Sequence, residues 1–165
     1  MLLSHPLIIF LYYVIFVDHF NKYTWLYPLK NKSDTTFIFE NFKQLVEKYF
    51  QTPILIVYSD GGGEYAGLHP ALSKHGIQHL YSSPHTSLIV GTAERQHRHN
   101  LETTLTLLHQ ASIPLQFWLV ACQTIIYLIN RMPIPLLDNK SPFQTLFHTS
   151  PYYLELKIFG CLCYP

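Results

Sequence analysis

The chain has 165 residues, 48% of them hydrophobic, which suits one domain around a single core better than two. Its 11 Lys and Arg nearly balance 10 Asp and Glu, excluding the broad basic face of an autonomous DNA-binding protein; any nucleic-acid affinity is local or borrowed from flanking segments. Cys122, Cys161 and Cys163 form neither an even disulfide framework nor a CxxC pair, so a reducing nuclear or cytoplasmic compartment is expected.

The apolar run Leu7 to Val17 is bounded by Pro6 and Asp18. It is shorter than the roughly 20 residues of a membrane span, and neither a basic flank nor a cleavage site accompanies it. Its Ile, Val, Phe and Tyr content predicts a strand rather than a membrane or targeting segment. A hairpin is expected next, with strands at about 12–18 and 23–29 around the turn His19-Phe20-Asn21-Lys22. Ser33 or Asp34 then caps a helix through Tyr49, where Phe39, Phe42, Leu45, Val46 and Tyr49 recur as one buried face. Beyond Pro53 lies a strand over 54–60.

A short helix at about 67–75 should end at Gly76, followed by a strand over 77–81. Residues 82–90 read as a loop, since Pro84 disfavours an early helix start. A long helix is expected from about Thr92 to Gln110, and Pro114 opens another through about Asn130. The alternation indicates a mixed α/β fold.

Two acids stand out. Asp60 closes a strand and precedes Gly61-Gly62-Gly63-Glu64-Tyr65, and Glu94 opens the long helix. Leu101, Leu105 and Leu108 follow Glu94 at nearly whole numbers of turns, so Glu94 is expected to share their sheet-facing stripe and aim at Asp60. Carboxylates converging from two elements suit divalent cations beside a reacting phosphate. The bland readings are an Asp-Gly turn for Asp60 and helix-end placement with an Arg98 pair for Glu94. The glycine run lacks the Lys-Ser/Thr ending of a P-loop and reads as a turn. His97 and His99 are two residues apart, unlike helical metal ligands, and read as solvated or DNA-facing.

Tyr13-Val14-Ile15-Phe16-Val17-Asp18-His19-Phe20, Lys22-Tyr23-Thr24-Trp25, Ser59-Asp60-Gly61-Gly62-Gly63-Glu64-Tyr65, Ser83-Pro84-His85-Thr86 and Gly91-Thr92-Ala93-Glu94-Arg95 occur in order, followed by His97-Arg98-His99. Phe117-Trp118, Tyr127 to Pro133, Lys140-Ser141-Pro142-Phe143 and Phe159-Gly160-Cys161 continue the series. Together they resemble the integrase catalytic core of copia-type (Pseudoviridae) LTR retrotransposon Gag-Pol polyproteins over nearly the whole chain. The resemblance implies an RNase H-like, retroviral integrase core-like fold with a mixed sheet and flanking helices. It also implies a three-acid site holding Mg2+ or Mn2+, DNA as partner and a possible homo-oligomer. Asp60 matches the second acid and Glu94 the third, with 33 residues between them. Arg95, His97 and Arg98 are the expected nucleic-acid contacts, acting on phosphates.

Two departures shape the expectations. The family's first acid lies on an earlier strand in an Asp-x-x-Gly-Pro-like segment, where this chain has Met1-Leu2-Leu3-Ser4-His5-Pro6. A core lacking its first strand is therefore expected, with Asp18 a tempting substitute that the match instead assigns to the hairpin turn. The second departure is apolar Leu88-Ile89-Val90, where relatives carry a polar segment. The expected organisation is a truncated catalytic core over 1–112 and a C-terminal helix and extension over 113–165. Two functional classes follow: a metal-dependent polynucleotidyl transferase for DNA integration, or a catalytically dead remnant that retains nucleic-acid or protein binding.

Overall fold

The computed structural model describes residues 10–59, 67–81 and 88–162, and for residues 88–94 the backbone alone. In chain order its elements are β1 (Tyr12–Val17), β2 (Thr24–Leu29), α1 (Thr35–Phe50), β3 (Ile56–Ser59), α2 (Leu68–Lys74), β4 (Gln78–Tyr81), α3 (Leu88–Gln110), α4 (Trp118–Ile129) and α5 (Pro142–Phe147), with single 3-10 turns before α1, α4 and α5. The described strands form two small sheets, β1 with β2 and β3 with β4. The architecture is mixed α/β, as the alternating pattern requires. None of the described helices is long and apolar enough to cross a membrane.

Contacts divide the chain into two compact units, Met1–Val14 with Tyr27–Val90, and Ile15–Leu26 with Gly91–Pro165. In the first, β3 and β4 run parallel with Ile56 opposite Gln78, Val57 opposite His79, Tyr58 opposite Leu80 and Ser59 opposite Tyr81. A parallel pair needs a crossover, and α2 belongs to it. This helix stops because Gly76 takes φ +67°, letting Ile77 N–H reach Leu72 O at 2.9 Å and Gly76 N–H reach Ser73 O at 3.1 Å, a left-handed helix stop that suits glycine. Phe39, Phe42, Leu68, Leu72 and Ile77 are buried. The segment entering β3 is tied to α1, because Glu47 Oε1 accepts from Ile54 N–H at 2.8 Å.

The predicted buried face of α1 needs correction. Phe39 and Phe42 are buried, but Leu45 is 59% and Tyr49 67% exposed. The periodic stripe runs farther along the helix than the packing that covers it. An amphipathic pattern specifies which side of a helix is apolar, not how much of its length finds a partner.

In the second unit, α3 and α4 contribute Asn100, Thr104, Leu108, Ala121, Cys122, Ile125 and Ile126 to the interior. The Cys122 thiol is pushed up by burial, opposed by its hydrogen bond with Thr104, which makes it a packing residue rather than a nucleophile. Cys122 and Cys161 are free thiols. At the end of α4, the Asn130 amide donates to Thr24 O at 2.8 Å and accepts from Thr24 N–H at 2.8 Å, with both residues buried. Ser141 caps α5 by accepting from Gln144 N–H at 3.0 Å, with Pro142 in the first turn. Gly160 sits at φ +79°, where an added Cβ would come within 2.9 Å of Ala111 Cβ.

Two further expectations change here. Helix α3 begins at Leu88 rather than about Thr92, since Leu88, Ile89 and Val90 include no breaker and the penalty at Gly91 is small. Its buried ridge is Asn100, Thr104 and Leu108, whereas Leu101 is 38% and Leu105 55% exposed. The i, i+4, i+8 row wins over the leucines because packing selects the face that meets a neighbour, polar members included. Thr104 Oγ1 donates to Asn100 O at 2.6 Å.

Candidate metal and nucleic-acid site

Ser59 ends β3, and Asp60 follows it in sequence. The carboxyl ends of parallel β3 and β4 lie side by side, the end of an α/β sheet where ligands gather. Asp60, the Gly61 to Gly63 run and the 82–87 loop fall outside the described residues, as does the Glu94 side chain. The expected convergence of Asp60 and Glu94 therefore lies outside them too. The Glu94 backbone is within α3, which starts six residues earlier, so Glu94 does not open the helix as expected. Nearly two turns in, it lies beyond the first turn where a helix end favours a carboxylate.

Asp18 is occupied by the hairpin. Its Oδ1 accepts from Phe20 N–H and Asn21 N–H, each at 2.8 Å, while Asp18 N–H donates to Tyr23 O at 2.9 Å and Lys22 N–H to Asp18 O at 3.0 Å. This is an Asx-type turn, with Lys22 at φ +61°. Among the described residues no group of three His, Cys, Asp or Glu side chains is placed to hold a metal ion. The donor chemistry of Asp60 and Glu94, two carboxylates, nevertheless suits a hard divalent cation.

A polar pair beside Asp60 was missed in the sequence. Ser59 Oγ and His79 Nε2 are 2.8 Å apart, joining β3 to β4 on the diagonal of the ladder, since His79 is opposite Val57. The His79 ring packs on Tyr81, with centroids 4.2 Å apart, and stacks on His69 at 5.7 Å. Burial, and secondarily the neighbouring His69, hold its pKa below the usual imidazole value. Its Nδ1 is buried without a hydrogen-bond partner among the described residues. The period-two spacing of His79 and Tyr81 was the available sequence signal, but it becomes a contact only once the β3–β4 register is known.

Arg95, His97 and Arg98 are all exposed on α3. At about 100° per residue, Arg95 and Arg98 are neighbours on one side of the helix, whereas His97 continues the line of Asn100, Thr104 and Leu108. The helix thus separates the arginines from the histidine. Asn100 has both side-chain polar atoms buried without partners among the described residues.

Residues 7–87 match the integrase core domain family. The chain is 58% identical over 154 residues to the retrovirus-related Pol polyprotein from transposon RE1 of Arabidopsis thaliana, covering 93% of this chain and 10% of that protein. It is 36% identical to the corresponding polyprotein from transposon TNT 1-94 of Nicotiana tabacum, covering 91% and 11%. The chain thus spans about a tenth of the curated relatives it matches. Its fold is similar to the HTLV-2 integrase catalytic core domain in complex with magnesium, with TM-score 0.57, 15% identity and coverage of 79% of this chain and 80% of that one. A simian T-cell lymphotropic virus intasome in complex with PP2A regulatory subunit B56 gamma gives TM-score 0.62 at 18% identity, covering 88% and 51%. These likenesses assign an RNase H-like integrase-core fold.

Proposed function

This chain belongs to the integrase core family and corresponds to the catalytic-core segment of copia-type retrotransposon Pol polyproteins, and on that premise we propose that it acts on DNA, with Asp60 and Glu94 holding Mg2+ or Mn2+. The observation that carries this reading is the family's ordered motif set, together with the position of Asp60 directly after a strand in the parallel β3–β4 pair. A bound divalent ion supplies charge that activates an attacking oxygen and stabilises a leaving one. The protein's own part is to hold the two carboxylates and the DNA backbone in register.

Arg95 and Arg98 contact phosphates from the outer side of α3, and His97 acts from the inward-continuing line. Binding is salt-sensitive and nearly indifferent to sequence, because phosphate contacts position DNA without reading bases. Removing both arginines should lower the logarithmic salt slope by roughly 1.8. Unchanged affinity and slope in a fluorescence-anisotropy titration would remove them from the interface. Residues 1–112 form the core and 113–165 its helical extension, and the protein operates inside the cell, in nucleus or cytoplasm, with homo-oligomers as its working form.

The second reading is DNA binding without turnover. It is favoured by the commitment of Asp18 Oδ1 to two turn N–H groups, which ties Asp18 to the hairpin turn. Incubation with retrotransposon-end DNA and Mn2+ or Mg2+ should give barely detectable end processing and strand transfer, with binding intact. Robust activity abolished by Asp18→Asn would refute this assignment and make Asp18 the first ligand. Robust activity insensitive to Asp60→Asn and Glu94→Gln would refute the carboxylate site.

A further inference from the structure

Resting on the reading of this chain as one that acts on DNA, we propose that Arg131, just past the end of α4, is a DNA-backbone site distinct from Arg95 and Arg98, taking one phosphodiester group in its guanidinium fork. Its Cζ lies 3.4 Å over the Tyr127 ring and 4.7 Å over the Phe143 ring. The main chain is fixed on both sides of it, Arg131 N–H donating to Leu128 O at 2.8 Å and Arg131 O accepting from Tyr153 O–H at 2.7 Å. Next to it, Asn130 O accepts from Phe143 N–H at 2.7 Å, which holds the second ring in place. A planar cation stacked in this way is ordered before a ligand arrives, so binding forfeits little side-chain freedom.

The rings hold the guanidinium without using its hydrogen-bond donors. Of its five N–H groups, one on Nη1 donates to Tyr127 O at 3.2 Å, and among the described residues no other acceptor takes one. No carboxylate pairs with it among those residues either, whereas Lys43 has Glu47. Its charge reaches instead the Tyr23 hydroxyl, whose pKa burial pushes up and Arg131 pulls back. Capping α4 needs the Tyr127 O bond alone, and covering two rings needs no charge. A half-buried cation kept without an anion among its neighbours is a site for an anion from outside. A phosphodiester fits because its paired free oxygens meet the in-plane N–H fork, where a lysine offers only a point charge. With Lys and Arg nearly balanced by Asp and Glu, DNA affinity has to come from such local cations.

The test is a fluorescence-anisotropy titration of a random-sequence DNA duplex with the full chain, without divalent metal, so that the outcome is independent of Asp60 and Glu94 as metal ligands. Arg131→Gln should weaken binding about tenfold and lower the logarithmic salt slope by about 0.9, the share of one phosphate. Arg131→Lys should regain that slope with part of the affinity, because the charge returns without the fork. A slope in Arg131→Lys as low as in Arg131→Gln would mean that local packing rather than charge had changed, and overturns the contact. Should Arg131→Gln lose its circular-dichroism spectrum, phenylglyoxal labelling of the parent chain, read by peptide mass spectrometry, decides without any variant. Bound duplex should slow the labelling of Arg131, and inorganic phosphate at the same phosphate concentration should not. Equal labelling with and without duplex, no labelling in the free chain, or protection by inorganic phosphate but not by duplex each overturns the site. Parental affinity and slope in Arg131→Gln overturn this site alone, whereas a parent chain that binds no duplex overturns the DNA reading and this site with it.

Discussion

Two buried polar devices differ in one respect: among the described residues Asn130 has both its amide groups paired, and His79 only one of its ring nitrogens. Asn130 exchanges two 2.8 Å bonds with the backbone of Thr24, standing in for a neighbouring strand and satisfying every group it buries. His79 spends Nε2 on Ser59 and leaves Nδ1 orphaned among the described residues. The first arrangement is what stability alone would select; the second accepts a stability cost at the end of the strand that leads into Asp60. Complete pairing makes Asn130 a structural lock.

The largest expected effect comes from breaking the complete lock. Asn130→Ala leaves Thr24 N–H and C=O buried without partners and should cost about 2–4 kcal/mol, read from urea denaturation. A loss below about 0.5 kcal/mol would show that water replaces the amide and would end the contrast with His79. Gly160→Ala tests the same unit by steric means. Its Cβ would meet Ala111 Cβ at 2.9 Å while φ stays at +79°, so a loss of about 1–3 kcal/mol is expected, and an unchanged midpoint would mean that the C-terminal segment simply moves aside.

The incomplete device should show itself through pH. Because the folded His79 pKa lies below its ordinary value of 6.5, the unfolded chain binds more protons in the window between the two. The contribution of His79 to stability is therefore fully present above about pH 6.5 and lost as pH falls toward and through the folded pKa. Comparing urea midpoints of parent and His79→Leu across that window should show a slope in the parent that the variant lacks. Parallel curves would mean that His79 titrates normally in the fold. Smallest of all should be Glu47→Gln, on a side chain whose pKa is lowered chiefly by its hydrogen bond to Lys43. Near the surface this pair is screened, and a loss under about 1 kcal/mol is expected; a larger one would make the Glu47 bond to Ile54 N–H a determinant of β3 placement.

The sequence by itself determined the elements and the family. Hairpin strands, α1, the Gly76 stop, β4 and the Gln110 end of α3 follow from choices made within a few residues: β-branched runs, Asx turns, a glycine at positive φ. The motif order carried the family assignment for the same reason, since it needs no knowledge of contacts. Only the tertiary structure decided which apolar faces are covered, exposing Leu45, Tyr49, Leu101 and Leu105 while burying Asn100 and Thr104. It also decided the two polar locks, Asn130 with a strand 106 residues earlier and Ser59 with a histidine 20 residues later. Periodicity fixes the direction a side chain takes from its own backbone, whereas burial and pairing depend on which distant segment arrives opposite it, and neither lies within a local window.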